Sequence, residues 1–208
     1  MKATESVVGT ILAGGLAKRM GGGDKCLLPL AGKTLLQRTI DRAKPQVKDL
    51  ILNANGNALR FARTRLPIVP DLITGQFGPL AGIQASLEWM KSNSSSEWLI
   101  CFASDTPFFP TNIAQLLLET ANKHQKKLVM SETAGRKHPV FSLWHVSMLP
   151  TVAAQIETGE APRLQEWMLE HGALSVEFPV EGFDPFFNLN TPQDIYAAEA
   201  TAILLDKS

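Results

Sequence analysis

Cysteine is scarce in this sequence: only Cys26 and Cys101 occur, and their spacing matches no metal-binding pattern. This scarcity indicates a chain with reduced thiols, and we expect it to be cytoplasmic. No apolar run approaches the roughly 20 residues of a membrane-spanning helix. The first six residues lack the apolar core of a signal peptide. Internal repeats and coiled-coil heptads are also missing from the sequence.

An excess of one charge is likewise lacking, since 20 basic residues balance 20 acidic ones. The balance argues against a general nucleic-acid-binding or membrane-surface protein, although local basic loops remain compatible with it. We therefore expect small-molecule partners, with neither nucleic acid nor membrane among them. A length of 208 residues favours one domain with a well-formed core.

Glycine and cationic residues are concentrated between Thr10 and Lys25, in the run TILAGGLAKRMGGGDK. Glycines let a backbone approach a ligand closely, and successive N–H groups can form an anion cradle. Lys18, Arg19 and Lys25 add positive charge to the same loop. Because an apolar strand pattern precedes it, the loop predicts a polyphosphate site, and we expect Lys25 to face solvent. We interpret Cys26 beside it as a packing residue.

The loop matches neither of two better-known phosphate-binding patterns. The Walker pattern requires GxxxxGK followed by Ser or Thr, and the glycines here have another spacing. The dinucleotide fingerprint GxGxxG is also absent, because Gly14 and Gly15 are adjacent. The structural alternative is a flexible glycine-rich surface loop, which would not need Arg19 and Lys25 at fixed offsets after a strand.

The remainder of the chain alternates strand and helix patterns. We predict strands at 7–12, 49–53, 66–69, 98–102, 127–130, 140–143 and 175–178. We predict helices at 35–43, 57–65, 79–90, 112–123, 145–156, 163–170 and 191–204. This alternation predicts a three-layer α/β domain, a mainly parallel sheet with helices on both faces.

Polar side chains follow four of the predicted strands. Lys25, Asn53, Asp71 and Asp105 should meet at the carboxyl edge of the sheet, where such sheets bind ligands. Asp105 suits a divalent cation that keeps phosphate and water ligands, and its structural alternative is a turn cap. Asn53 and Asp71 have similar alternatives, as a turn residue and a cap.

The glycine-rich loop and several later segments together resemble the motifs of a known family. Residues 12–25 resemble the LxGGxxxRMGxxDK signature of nucleotidyltransferases with a Rossmann-like, GT-A-type fold, and within them the MobA family of molybdenum cofactor guanylyltransferases. Matching motifs recur at positions 53, 71, 78–82, 105–107, 138–139 and 188–192, so the resemblance covers nearly the whole chain. It implies one domain over 1–208, with a nucleotide-binding half at 1–110 and an acceptor-binding half at 111–208.

The resemblance also implies roles for residues. The implied catalytic residues are Arg19, Lys25 and Asp105, and Asp105 would hold Mg²⁺, with Mn²⁺ as the alternative. The implied nucleotide-binding residues are Leu12, Ala13, Gly14, Gly15, Lys25, Asn53, Asp71, Gly82 and Asp105. The implied acceptor-binding residues are His138, in a cationic loop at 136–139, together with Asn188 and Asn190.

Further assignments also have structural alternatives, and one position departs from the family. Gly82 could serve close helix–strand packing, His138 could be a polar surface residue, and the segment with Asn188 and Asn190 could be a turn before a helix. The family often has an arginine where Ala161 stands, and Arg163 is a candidate replacement.

The implied function is transfer of GMP from GTP to the molybdopterin cofactor, with release of pyrophosphate. Molybdenum-insertion and molybdoenzyme-maturation proteins are candidate partners. Two alternatives remain: a cytidylyltransferase or sugar- or polyol-phosphate nucleotidyltransferase with the same loop, and a non-enzymatic, GTP-responsive carrier of the cofactor.

Overall fold

A computed structural model describes residues 6–14, 23–73 and 77–206 of the chain. Its strands are β1 Val7–Leu12, β2 Pro29–Leu30, β3 Lys33–Thr34, β4 Asp49–Asn53, β5 Ile68–Val69, β6 Trp98–Ala103, β7 Leu128–Thr133, β8 Arg136–His145 and β9 Leu174–Glu177. Its α-helices are α1 Leu35–Ala43, α2 Pro79–Asn93, α3 Ile113–His124, α4 Leu149–Glu157, α5 Leu164–Glu170 and α6 Pro192–Leu205.

Seven strands form the central sheet, in the order β5-β4-β1-β6-β8-β7-β9. Strands β5, β4, β1 and β6 are mutually parallel, β8 runs antiparallel between β6 and β7, and β9 is parallel to β7. The prediction of a mainly parallel sheet is confirmed. Because the parallel strands all end at one edge, the segments that follow them meet there.

The assignment of residues 136–139 to a loop was wrong. These residues begin β8, which pairs with β7 through a tight hairpin at Ala134 and Gly135, both with positive φ. Arg136 lies opposite Thr133, and His138 lies opposite Ser131. The predicted strand at 140–143 is only the centre of a ten-residue strand.

Helices cover both faces of the sheet, as predicted. Alternate residues of each strand enter different apolar clusters: in β1, Val7 and Ile11 pack with α1 and α3, whereas Val8 packs with α2, α4 and α5. The same division holds in β6, where Phe102 and Cys101 point to opposite faces. Period-two alternation therefore builds a three-layer core from strands that are apolar on both faces.

Helix α6 lies outside these layers and packs on the small β2–β3 ribbon. It begins with a capping box, in which the Thr191 hydroxyl accepts from the Asp194 N–H and the Asp194 carboxylate accepts from the Thr191 N–H. At its other end, Asp206 accepts two hydrogen bonds from Arg38 of α1, at 3.0 and 2.9 Å. Both ends of α6 are thereby fixed.

The segment predicted as a helix at 57–65 is a 3₁₀ helix at Ala58–Thr64, which ends at Arg65 with positive φ. Within the described ranges, no helix combines the length and the apolar character that crossing a membrane requires.

Gly9 in β1 lies in a tightly packed part of the core. A Cβ at this position would lie 2.9 Å from Leu50 and 3.1 Å from Phe102. We expect Gly9→Ala to lower the free energy of unfolding by about 1–3 kcal/mol, because the core would be overpacked. Urea denaturation measures this. Gly14→Ala is the control, since its Cβ would meet no described atom within 4 Å; equal losses in both variants would contradict the packing argument.

Candidate active site

A cavity of about 630 Å³ lies at the carboxyl edge of the parallel strands. Its walls come from both halves of the chain and include eight of the residues that the sequence singled out: Leu12, Gly14, Lys25, Asn53, Asp71, Asp105, His138 and Asn188. Their convergence follows from strand order, because β4, β1 and β6 are neighbours and each delivers one segment to the same edge.

Lys25 is the central charge of the cavity. Its ammonium group donates to Asp105 Oδ2 at 2.6 Å, to Asn190 Oδ1 at 2.6 Å and to Asn188 Oδ1 at 3.1 Å. These bonds engage all three of its donors. The expectation that Lys25 faces solvent was wrong: it is only 7% exposed, because these acceptors replace its water shell.

The backbone brings these groups together. Asp105 follows β6, and its carbonyl accepts from the Leu189 N–H at 3.0 Å, which ties the last segment to the edge of the sheet. Leu189 is fully buried, so the extended chain turns Asn188 and Asn190 to the other side. Asn190 does not line the cavity itself and belongs to the site through Lys25.

Asp105, like Asp71, is a carboxylate on the cavity wall. Its Oδ2 is paired with Lys25, and its Oδ1 accepts from the Thr106 hydroxyl at 3.2 Å. Within the described part of the chain, no group of three or more His, Cys, Asp or Glu side chains could form a metal site. The donor set therefore fits Mg²⁺ or Mn²⁺ completed by phosphate oxygens and water, and does not fit a metal held by protein ligands alone.

Asn53 and Asp71 belong to one hydrogen-bonded group. Asn53 Nδ2 donates to Asp71 Oδ1 at 2.9 Å and to the Val69 carbonyl at 3.0 Å. Asn55, which the sequence analysis missed, donates to Asp71 Oδ2 at 2.7 Å and accepts from the Asp71 N–H at 2.8 Å. The signal was present, since Asn55 is two residues beyond Asn53, on the same side of an extended segment.

The other predicted nucleotide-binding residues have different positions. Gly82 lies behind Asn53, where a Cβ would come within 2.2 Å of Asn53 Oδ1, and it is absent from the cavity wall. This placement fits the packing alternative. Ala13 is buried and donates its N–H to the Asn53 carbonyl at 2.9 Å. Gly15 and Arg19 lie outside the described residues, so their roles stay predictions.

His138 lines the cavity from strand β8. Its ring stacks on Phe186, with centroids 4.4 Å apart, and its Nε2 is hydrogen bonded to the Thr133 hydroxyl at 2.7 Å. Burial lowers the pKa of His138, although Asp184 opposes the shift. His138 is therefore a buried ring and not the polar surface residue of the alternative. Phe186 was missed, because nothing in the sequence distinguishes it from a core aromatic.

The cavity wall also carries two cations from β8, and the position that departs from the family lies elsewhere. Arg136 and Lys137 line the cavity, and Lys137 forms an ion pair with Glu132 at 3.2 Å. Arg163, the candidate replacement for an arginine at position 161, is exposed and pairs with Glu166 at 3.2 Å. It does not reach the cavity wall.

An α/β sheet with a glycine-rich sequence after its first strand, and with a cation and a carboxylate at its carboxyl edge, has the organisation of a nucleotide-binding protein. A family model narrows the class: residues 9–173 match the MobA-like NTP transferase domain. The chain belongs to this family and is thus a nucleotidyltransferase, as the resemblance implied.

Individual relatives agree with the family. The molybdenum cofactor guanylyltransferase of Rhodopseudomonas palustris (strain BisB5) is 41% identical over 93% of this chain and 92% of that protein. The crystal structure of molybdopterin-guanine dinucleotide biosynthesis protein A from Archaeoglobus fulgidus has a TM-score of 0.74 at 22% identity, over 95% and 99% of the two chains. A Mycobacterium tuberculosis protein solved in complex with manganese has a TM-score of 0.66 at 16% identity, over 95% and 99%. The two structures confirm the Rossmann-like fold.

Lys25→Met removes the ammonium but keeps most of the side chain's bulk. We expect turnover to fall on the order of 10²–10³-fold, because a preorganised and buried charge is lost. Lys25→Arg should recover only part, since a planar fork cannot reproduce three donors on one atom. Steady-state pyrophosphate release measures the effect, with the exposed Lys91→Met as control. Normal turnover in folded Lys25→Met would remove Lys25 from catalysis.

The lowered pKa of His138 predicts a pH-dependent stability. Since the native state favours the neutral ring, its contribution is complete above the unfolded value near 6.5 and is lost as pH falls through the native pKa. We expect the urea midpoint to fall between pH 7.5 and 5.5 more steeply for the unmodified protein than for His138→Gln. Parallel pH profiles would contradict a buried, neutral imidazole.

Proposed function

We propose that this protein transfers GMP from GTP to the phosphate of the molybdopterin cofactor, forming the guanine dinucleotide and pyrophosphate. The observation that carries this proposal is the bridge made by Lys25, which joins Asp105 of the nucleotide-binding half, 1–110, to Asn188 and Asn190 of the acceptor-binding half, 111–208. Both substrates would thus share one cavity. The guanylyltransferase named among the relatives supports the choice of substrates.

The chemistry is one in-line displacement. An oxygen of the acceptor phosphate attacks the α-phosphorus of GTP and forms the new P–O bond. The bond from that phosphorus to the α–β bridging oxygen breaks, and pyrophosphate leaves with the electron pair. A phosphate monoester is already ionised at neutral pH, so positioning and charge neutralisation supply the rate. Cys26 has no part in the step, since burial and Asp24 raise the pKa of its thiol to about 12.

On the nucleotide side, Asn53, Asn55 and Asp71 would receive the nucleoside. Their mutual hydrogen bonds hold the Asp71 carboxylate where it can accept from ribose hydroxyls or a base N–H. The backbone of residues 12–14 would contact the guanine and ribose. Lys25, with Arg19, would neutralise the polyphosphate as pyrophosphate leaves.

Asp105 would hold Mg²⁺, or Mn²⁺ in its place, together with phosphate oxygens. When bound, the ion supplies positive charge beside the reacting phosphates. The Thr106 hydroxyl and Lys25 fix the Asp105 carboxylate through hydrogen bonds. The manganese complex of the Mycobacterium tuberculosis protein supports a divalent ion in this fold.

On the acceptor side, the stacked pair of His138 and Phe186 offers a flat wall for a planar heterocycle. Arg136, which is exposed at the rim, would bind the acceptor phosphate. Asn188 and Asn190 would position Lys25 between the two substrates. We place the enzyme in the cytoplasm, where GTP is available, and propose molybdenum-insertion and molybdoenzyme-maturation proteins as its partners.

Nucleotide choice tests the proposal most directly. With Mg²⁺ and molybdopterin cofactor, we expect pyrophosphate release from GTP to exceed that from CTP or ATP by at least about 30-fold. Wrong bases would leave two groups of the pocket unpaired, at about 1–3 kcal/mol each, so at least about 2 kcal/mol is lost, which is roughly 30-fold at about 1.4 kcal/mol per factor of ten. Reactions without acceptor, or with sugar phosphates in its place, are the controls. Faster release from CTP would assign a cytidylyltransferase, and nucleotide binding without release from any NTP would favour a carrier.

A further inference from the structure

Asp24 stands directly before Lys25, at the start of the 3₁₀ helix Lys25–Leu27. An aspartate at this position ordinarily caps the helix with its side chain. Here the side chain makes no capping hydrogen bond, and only the Asp24 carbonyl accepts from the Leu27 N–H. The carboxylate is directed instead to Arg60, with its Oδ2 2.7 Å from Arg60 Nε. Asp24 therefore connects the end of the glycine-rich loop to a distant segment.

All three nitrogens of the Arg60 guanidinium group have polar partners. Nε faces Asp24, one terminal nitrogen donates to the Asn55 carbonyl at 2.5 Å, and the other donates to the Asn57 carbonyl at 3.3 Å. The group also lies over the Phe61 ring, 4.6 Å from its centroid. The side chains of Arg60 and Asp24 are only 30% and 18% exposed, so solvent screens their attraction less than at an open surface.

Gly56 makes room for this arrangement. Its φ is +81°, and a Cβ there would lie 3.0 Å from a terminal nitrogen of Arg60. The neighbouring residue, Asn55, forms two hydrogen bonds with Asp71, of 2.7 and 2.8 Å. A continuous chain of polar contacts thus runs from Asp24 through Arg60 and Asn55 to Asp71, and its two ends adjoin Lys25 and Asn53.

We propose that Arg60 is a positioning residue for the nucleotide site, through which the end of the glycine-rich loop and the Asn55–Asp71 pair are held in register. Arg60 is absent from the cavity wall, so it acts through other residues. The inference rests on the proposed function only in that the ligand is a nucleoside triphosphate. It assigns Arg60 to nucleotide affinity more than to turnover, because the three bonds of Lys25 do not involve it.

The test uses the full chain with Arg60→Met, Arg60→Lys and the control Arg63→Met, an exposed residue of the same 3₁₀ helix. Calorimetry gives the Kd for GTP, steady-state kinetics give KM and kcat, and thermal unfolding gives Tm. We expect Arg60→Met to raise Kd and KM about tenfold, as for loss of one hydrogen bond to a charged group, with kcat within about threefold. Arg60→Lys should recover part, because it reaches Asp24 but cannot also serve two carbonyls. Arg63→Met should match the unmodified protein.

A double-mutant cycle separates positioning from folding. Asp24→Asn should weaken GTP binding in the unmodified protein and add little in Arg60→Met, since both changes break one link. Additive effects, or an Arg60→Met protein with lowered Tm and unchanged Kd, would overturn the proposal. If the unmodified protein selects CTP, the guanylyl assignment fails alone, and the same cycle with CTP decides the role of Arg60. If it binds no nucleoside triphosphate, both proposals fail.

Discussion

The burial of one ammonium group governs the arrangement of this site. Lys25 has lost almost all contact with water, and a charge in that state is tolerated only with a counter-charge and further hydrogen bonds. Asp105 supplies the counter-charge, while Asn188 and Asn190 accept the other two hydrogen bonds. A phosphate oxygen can therefore bind Lys25 directly only by displacing an acceptor.

The position of the segment that carries Asn188 and Asn190 depends on the contacts that fix α6. The capping box at Thr191 sets where the helix begins, and Arg38 fixes its far end through Asp206. Between them, apolar residues of α6 pack on the β2–β3 ribbon in the cluster that also contains Leu189. The buried Leu189 is thus the point at which packing determines the direction of the two asparagines, and a structural helix becomes part of the site.

Much of the fold could be predicted, because apolar periodicity and caps are local signals. Strands β1 and β4 and helix α1 have the predicted bounds. Strand β8 was underestimated, because Arg136 and Lys137 are charged and Pro139 argues against a strand interior. Its pairing with β7 is a tertiary fact that a window of sequence does not contain.

The candidate site divides in the same way. Its polar residues follow strands, and chain order alone indicates that they meet. The groups that compensate the charge of Lys25 are distant in sequence, since its acceptors lie up to 165 residues away. The burial of Lys25 could therefore not be predicted from the residues around it. Likewise, Phe186 becomes distinct from a core aromatic only when His138 stacks on it.

Two parts of the cavity wall differ in the kind of contact that forms them, one polar and the other aromatic. Around Asn53, Asn55 and Asp71 the polar groups hold one another in place through mutual hydrogen bonds. Around His138 and Phe186 the wall is aromatic and its imidazole is kept neutral by burial, which suits a planar ring better than an ion. Lys25 and Asp105 form a charged pair in the wall of the same cavity. A cavity that combines a hydrogen-bonded polar group, an aromatic pair and a charged pair fits the proposed joining of a nucleotide to a heterocyclic phosphate.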